Sequence, residues 1–153
     1  RSALCHQPLR ITVNAVTQSR GKALFMSRII FLRLIQIMQQ AVRESFGRDV
    51  RIYVVGGEVM GAMRRSNDRD FRANIANGGS AEAYVPGDEE KHLALEAVRL
   101  LGLDFGGVDI LHSQEGPLLC EVNSNAHFAA MEKSTGADIS GAVMRYIRSE
   151  LEK

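Results

Sequence analysis

Three side chains with oxygen donors lie in apolar stretches of the chain, where a strand core has no need of them. Asp109 lies within the stretch 107–111, and Glu121 and Asn123 lie within the stretch 119–125. Carboxylate and amide oxygens in a set with few carboxylates suit Mg²⁺ or Mn²⁺, which completes its coordination with water and phosphate oxygens. These residue types predict a metal site, provided that the fold brings the three side chains together.

A β-hairpin would bring them together. The polar turn 112–117, with its Gly and Pro, separates the two stretches and is typical of an antiparallel strand pair. Because side chains alternate along a strand, Glu121 and Asn123 point to one face, and a short turn places Asp109 opposite or diagonal to Glu121. A single acidic residue here would more often be a solvated residue on a strand face. The spacing of all three favours the metal site.

Two arginines add chemistry that suits phosphate. Arg51 follows Asp49 at the start of a predicted strand, and Arg72 opens the segment 72–74 in a polar loop that ends at Gly78-Gly79. The planar fork of an arginine matches phosphate oxygens, although either arginine alone could simply be a solvated surface residue. Together with the carboxylates and the glycine-rich loop they describe a metal–phosphate site.

The elements that must position these residues are predicted from hydrophobic pattern and turn chemistry. Residues 50–55 and 58–64 read as two strands joined by the turn Gly56-Gly57. Asp88 is the expected N-cap of an amphipathic helix, whose apolar stripe is predicted to comprise Leu93, Ala97, Leu100 and Leu101. Asp138 is the expected N-cap of a last helix, whose buried face is predicted to comprise Ile139, Val143, Tyr146 and Ile147. The order of elements indicates an α+β fold with a mainly antiparallel sheet backed by helices.

Composition places limits on the function. The chain has 153 residues, of which 45% are hydrophobic and 24% charged, and a formal net charge of +1, which argues against nucleic acid as a partner. Cys5 and Cys120 suggest no disulfide framework. The most apolar window, 23–38, is interrupted by Arg28 and Arg33, so no membrane span is expected. We expect a cytoplasmic protein that binds neither nucleic acid nor membrane.

Several motifs follow one another in the order found in ATP-grasp ligases. They lie at residues 49–57, 70–74, 78–79, 107–111, 121–123 and 133–139. The chain most closely resembles the RimK-type branch, the glutamate ligases related to glutathione synthetase. The resemblance implies the C-terminal portion of an ATP-grasp fold, with residues 1–48 as a partial, degenerate N-terminal lobe and residues 49–153 as the C-terminal lobe.

The resemblance also implies a reaction. Family members phosphorylate a carboxylate with ATP, and an amine then attacks the acyl phosphate, releasing phosphate and leaving an amide. The substrates would be a carboxylate and an amine carried by an amino acid, a peptide or a protein tail. ATP and Mg²⁺ (or Mn²⁺) are the implied cofactors.

The family's functional residues map onto this chain position by position. Asp109, Glu121 and Asn123 would hold the metal, with Glu121 shared between two ions, and Arg51 and Arg72 would act on the acyl phosphate and the transferring phosphate. Asn125 and His127 would meet the substrate. The implied nucleotide contacts are Gln40, Ala41, Asp49, Arg72, Ala73 and Asn74.

Some positions depart from the family pattern. Asn14 stands where the family has a phosphate-gripping lysine, and Gln40 stands where a glutamate is usual. The loop 18–23 keeps only Gly21 and Lys22 of a segment that is usually richer in glycine. Two functions therefore stay open, a fragment of a carboxylate–amine ligase and a degenerate domain that binds nucleotide or metal without turnover.

Overall fold

The computed structural model describes residues 14–15, 37–38, 42–73, 75 and 78–153. The chain divides into two compact units, residues 1–41 and 42–153. In the first unit Asn14–Ala15 (β1) pairs antiparallel with Ile37–Met38 (β2). The second unit carries the predicted metal ligands and arginines.

The second unit is an antiparallel sheet with helices. After a 3₁₀ turn at Arg43–Ser45 its strands are Arg48–Val55 (β3), Glu58–Ser66 (β4), Ser80–Tyr84 (β5), Phe105–Ser113 (β6) and Gly116–Asn123 (β7). The strand order is β5-β4-β3-β6-β7, and all neighbours are antiparallel. The helices are Asp88–Leu100 (α1), Ala129–Thr135 (α2) and Ile139–Leu151 (α3). The predicted α+β class is confirmed. Among the described residues no helix has the length and apolar character needed to cross a bilayer.

The side chains of β3 alternate between the two faces of the sheet. Val50, Ile52 and Val54 are buried and pack with Ala94 and Val98 of α1. Because side chains alternate along a strand, the residues between them belong to the other face. That face carries Asp49 and Arg51 at one end, and at the other end a second buried cluster of Tyr53, Met63, Ala126, Met131 and Ile139. We call it the polar face.

The two predicted hairpins are present. Gly56 and Gly57 join β3 to β4 with φ angles of 57° and 80°, the left-handed conformation that a two-residue hairpin turn requires. Strands β6 and β7 are joined by a turn shorter than predicted, because the strands continue to Ser113 and Gly116. Each hairpin contains one register shift, between Tyr53 and Val54 in the first and between Asp109 and Ile110 in the second.

Some helix predictions need correction. Asp88 is the first residue of α1 rather than its N-cap, which is Gly87, whose N–H donates to Glu90 Oε2 at 2.6 Å. Leu100 and Leu101, expected on the buried stripe of α1, are exposed because they lie at the C-terminal end, beyond the packed Ala94 and Val98.

In α3 the predicted cap is confirmed, since the Asp138 carboxylate accepts from the Gly141 N–H at 2.9 Å. The helix buries its first turn through Ile139 and Ala142. Ile147, predicted on the buried face, is exposed in the second half of the helix.

Candidate active site

The sheet register brings three predicted site residues into one row. On β6, Asp109 lies directly opposite Arg51 of β3 and directly opposite Glu121 of β7. Directly paired residues of antiparallel strands point to the same face. Asn123 lies opposite Gly107, two residues along β6 from Asp109, and therefore shares that face. The arrangement that a common metal site requires is present, while metal binding by these residues stays a prediction.

Asp109 is buried and held by two arginines. Its carboxylate accepts from Arg51 through Nε to Oδ1 at 2.6 Å and through Nη2 to Oδ2 at 2.6 Å. Arg65 of β4 adds a third contact, from Nη2 to Asp109 Oδ2 at 2.8 Å. A buried carboxylate needs such partners because burial penalises an unpaired charge. The two guanidinium groups also offset the repulsion expected between Asp109 and Glu121 across the strand pair.

Arg65 extends this contact into a network of four charges. It lies opposite Asp49 and donates to it through Nε at 2.6 Å and Nη2 at 2.7 Å. The chain Asp49–Arg65–Asp109–Arg51, which we call the charge network, alternates in sign. Burial raises the pKa of Asp49 despite the opposing effect of Arg65. Burial acts to lower the pKa of Arg51, but the hydrogen bonds and charge of Asp109 outweigh it, so that pKa is raised.

Sequence reasoning missed Arg65. Gly56 and Gly57 form a two-residue turn, so Val55 pairs with Glu58. A regular antiparallel ladder continued from that pair would place Arg64 opposite Asp49. The register shift between Tyr53 and Val54 moves the pairing by one residue and places Arg65 there. Arg64 lies on the opposite face, over the Tyr84 ring at 4.7 Å.

Glu121 and Asn123 provide the open part of the candidate metal site. Glu121 is exposed, and within the described part of the chain its carboxylate has no hydrogen bond or ion pair. The Asn123 side-chain oxygen accepts from the Asn125 N–H at 3.0 Å. No group of three His, Cys, Asp or Glu side chains suited to a metal occurs among the described residues, but the predicted set has two carboxylates and an amide. This set of hard oxygens fits a small divalent cation.

Arg72 lies in a loop whose backbone is hydrogen-bonded to Gly47. The Gly47 N–H donates to Phe71 O at 3.0 Å, and the Asn67 N–H donates to Gly47 O at 2.8 Å. Arg72 itself is exposed, with its Cζ 5.0 Å from the centroid of the Phe71 ring. Ala73 is buried. The described contacts of Arg72 do not include the charge network.

The remaining predicted nucleotide and substrate residues are distributed as follows. Gln40, Ala41 and Asn74 lie outside the described residues. Asn125 and His127 are exposed, in the loop 124–128 that follows β7, which we call the β7 loop. Beside Asp49 a cavity of about 430 Å³ is lined by side chains of both charge signs, among them Glu44, Arg48, Arg64 and Glu82, and by His112.

Comparison with known proteins decides the family. The sequence model of the RimK-like ATP-grasp domain matches residues 10–147. The chain belongs to the RimK-like ATP-grasp family.

Curated relatives of this RimK-like domain are glutamate ligases by name. A probable alpha-L-glutamate ligase of Parasynechococcus marenigrum is 44% identical over 116 residues, which cover 75% of this chain and 25% of that protein. The ribosomal protein bS6–L-glutamate ligase of Escherichia fergusonii is 43% identical over 112 residues, covering 72% of this chain and 37% of that protein. The chain thus spans well under half the length of these relatives.

Solved structures share the fold of this RimK-like domain. The ATP-grasp ligase PsnB, complexed with a phosphomimetic variant of its minimal precursor, Mg and ADP, matches with a TM-score of 0.56 and 29% identity over 69% of this chain and 32% of that one. D-alanine–D-alanine ligase from Bacillus anthracis, complexed with ATP, matches with a TM-score of 0.52 and 15% identity over 69% of this chain and 40% of that one. The second likeness concerns the fold alone.

Proposed function

We propose that this chain is part of an ATP-dependent carboxylate–amine ligase, which forms an amide through an acyl phosphate as in RimK-like glutamate ligation. Its substrates would be glutamate or another amino acid and an amine or carboxylate on a peptide or protein tail. Residues 1–48 would belong to a partial N-terminal lobe and residues 49–153 to the C-terminal lobe. The observation that carries the proposal is the row Arg51–Asp109–Glu121 on one face of the sheet.

In this proposal Asp109, Glu121 and Asn123 hold Mg²⁺, and Mn²⁺ is the expected substitute. When bound, the cation neutralises and orients the ATP phosphates. Asp109 oxygens accept three hydrogen bonds from arginines, and a carboxylate offers about four acceptor positions, so one position is left for a ligand. Glu121, exposed beside it, supplies the second carboxylate.

The arginines have distinct roles in the proposal. Arg51 presents a planar fork that can bind oxygens of the acyl phosphate, since phosphoryl transfer depends mainly on positioning and charge stabilisation. Arg65 contacts Asp109 independently of Arg51. Asp109 therefore keeps one cationic partner when Arg51 turns towards substrate. Arg72, which is exposed in its loop, would meet the nucleotide or the transferring phosphate.

The test uses the intact natural protein that carries this chain. It is incubated with Mg·ATP, glutamate and candidate amine acceptors, and ADP release and mass gain of the acceptor are measured. Glu121→Gln should abolish both, because it removes the exposed carboxylate of the site. Glu115→Gln, an exposed carboxylate in the turn of the same hairpin, is the matched control and should keep activity. Equal activity of the two variants would refute the proposed site.

A second candidate is a degenerate domain that binds nucleotide or metal without turnover. The substitution pattern in the first 41 residues favours it, with Asn14 at the lysine position and Gln40 at the hinge. The same assay separates the two functions. Binding of Mg·ATP by the intact protein, without ADP release in the presence of any acceptor, would favour the degenerate domain.

A further inference from the structure

The β7 loop is attached to the polar face by contacts from three strands. From β3, the Tyr53 hydroxyl donates to the His127 carbonyl oxygen at 2.5 Å. From β7, the Asn123 side-chain oxygen accepts from the Asn125 N–H at 3.0 Å. From β6, Gly107 provides the surface on which Ala126 packs. The loop is therefore held at three successive residues, through the backbone of Asn125 and His127 and the Cβ atom of Ala126.

Tyr53 is completely buried, four residues after Asp49 on the same face of β3. Its ring lies 6.4 Å from that of Phe105, and its hydroxyl is the group that reaches the loop. Burial raises the pKa of Tyr53 above its ordinary value near 10, against the lowering effect of Arg51. The hydroxyl thus remains a protonated donor at neutral pH.

Gly107 shows how closely the loop approaches the sheet. A Cβ atom at this position would lie 2.5 Å from the Ala126 Cβ and 3.6 Å from Arg51 Cδ. Ala126 itself is buried, with 3% of its surface exposed. The loop and the Arg51 side chain therefore lie side by side over Gly107, which places the β7 loop at the edge of the candidate active site.

The anchored loop leaves two side chains exposed, the Asn125 amide and the His127 imidazole. Both can bind the carboxylate or amide groups of an amino acid or peptide. We propose that Tyr53 is a positioning residue, which fixes the β7 loop so that Asn125 and His127 meet the amino-acid or peptide substrate beside Arg51. This inference rests on the proposed ligase function.

The test is Tyr53→Phe in the intact natural protein, which keeps the buried ring and removes the hydroxyl. A neutral hydrogen bond lost from the loop should raise KM for the amino-acid or peptide substrate about three- to tenfold. KM for ATP should stay near the wild-type value, because no described contact of Tyr53 involves a predicted nucleotide-binding residue. The Tyr53 hydroxyl also faces Arg51, whose charge and hydrogen bond act to lower the Tyr53 pKa, so kcat should fall by a smaller factor than the substrate KM rises. Hydrogen–deuterium exchange of peptides covering residues 124–128 should become faster by a similar factor.

Tyr146→Phe is the matched control. It also removes one phenolic hydrogen bond, from Tyr146 to Asp104 Oδ1 at 2.8 Å, at the C-terminal helix rather than the polar face. It should leave both substrate KM values and the exchange of the β7 loop unchanged.

A second pair of variants tests the loop without altering the Tyr53 hydroxyl. Gly107→Ala should displace Ala126 and give the same selective rise in KM. The double variant Gly107→Ala with Ala126→Gly removes one of the two clashing Cβ atoms and should restore most of the lost affinity. If Gly107→Ala does not fold, the double variant still has to show near-normal KM.

The outcomes separate this inference from the proposed function. A fall in kcat with unchanged loop exchange in Tyr53→Phe means that Tyr53 acts through Arg51, and overturns the inference. An active wild-type enzyme whose Tyr53→Phe variant has unchanged KM and exchange also overturns it. A wild-type protein that forms no amide refutes the ligase function itself, and the role of Tyr53 towards substrate with it.

Discussion

Replacing Arg65 with methionine should cost more stability than any surface ion pair provides. Arg65 is buried, with 3% of its surface exposed, and makes three contacts with Asp49 and Asp109 at 2.6–2.8 Å. Asp109 keeps Arg51, but Asp49 loses both contacts that it makes with Arg65 while its side chain is only 13% exposed. Breaking a buried ion pair from one side costs about 3–5 kcal/mol, because the remaining charge is left uncompensated.

The assay is urea unfolding of the 153-residue chain at neutral pH. Arg64→Met is the matched control, since Arg64 is the next residue on β4 but lies on the opposite face with a side chain that is 46% exposed. Its contact with Glu82 is 3.3 Å long, and such exposed pairs contribute about 0–1 kcal/mol. The two identical substitutions should therefore differ by about 2 kcal/mol or more.

Two further measurements identify the cause. Asp49→Asn combined with Arg65→Met removes the stranded charge and should recover about 1–3 kcal/mol. Burial already raises the pKa of Asp49 in the folded protein, and without Arg65 that pKa rises further. A group with a raised folded-state pKa favours folding below its ordinary pKa and loses that contribution as pH rises. The deficit of Arg65→Met should thus shrink as pH falls towards about 4. A deficit below about 1 kcal/mol, or one that grows on acidification, would refute the reasoning.

Three other predictions concern the loops, the last helix and nucleotide affinity. Gly47→Ala should lower the free energy of unfolding in urea by about 1–3 kcal/mol, because φ at Gly47 is 66° and a Cβ atom there would lie 2.2 Å from Asn67 O. The control Gly57→Ala should cost less, because Gly57 also has a positive φ but has open space around it. Asp138→Ala should lower the thermal midpoint at neutral pH, because the hydrogen bond from Arg145 lowers the pKa of Asp138 and the ionised carboxylate stabilises the folded state. The difference between variant and wild type should vanish in acid, since the carboxylate loses this stabilising effect as the pH falls through its folded-state pKa. Asn14→Lys in the intact protein should strengthen Mg·ATP binding by about 1–3 kcal/mol in calorimetric titration, the scale of a charge-assisted hydrogen bond; no gain would contradict the alignment of Asn14 with the family lysine.

Local pattern was sufficient to predict most elements of the second unit, because alternation and turn residues act over short distances. The strand pair around Gly56-Gly57, the helix that begins at Asp88 and the antiparallel pairing of β6 with β7 all follow from such signals. The register shifts do not, since a bulge depends on the whole ladder of hydrogen bonds and on packing against neighbouring strands. Arg65 was missed for this reason.

The register shift between β6 and β7 matters as much for the candidate site as the one between β3 and β4. Beyond it the pairing of β6 with β7 joins Ile110 to Leu119, and a regular ladder would continue with Asp109 opposite Cys120. Glu121 would then point to the opposite face of the sheet, away from Asp109. The shift between Asp109 and Ile110 brings Glu121 opposite Asp109 instead. The two-residue hairpin turn alone would therefore have predicted a divided set of carboxylates.

The charge network of Asp49, Arg65, Asp109 and Arg51 sums to zero formal charge. Any single replacement that removes one charge leaves a net charge in a buried place, whereas the joint loss of a neighbouring pair restores neutrality. Arg51 and Asp109 are both tied to the proposed phosphoryl and metal chemistry, whereas Asp49 carries only an expected nucleotide contact and Arg65 none. The pair with most freedom is therefore Asp49 with Arg65. In the evolutionary history of this domain these two residues should be retained together or replaced together, and a lineage with one of them alone should carry a compensating charge nearby.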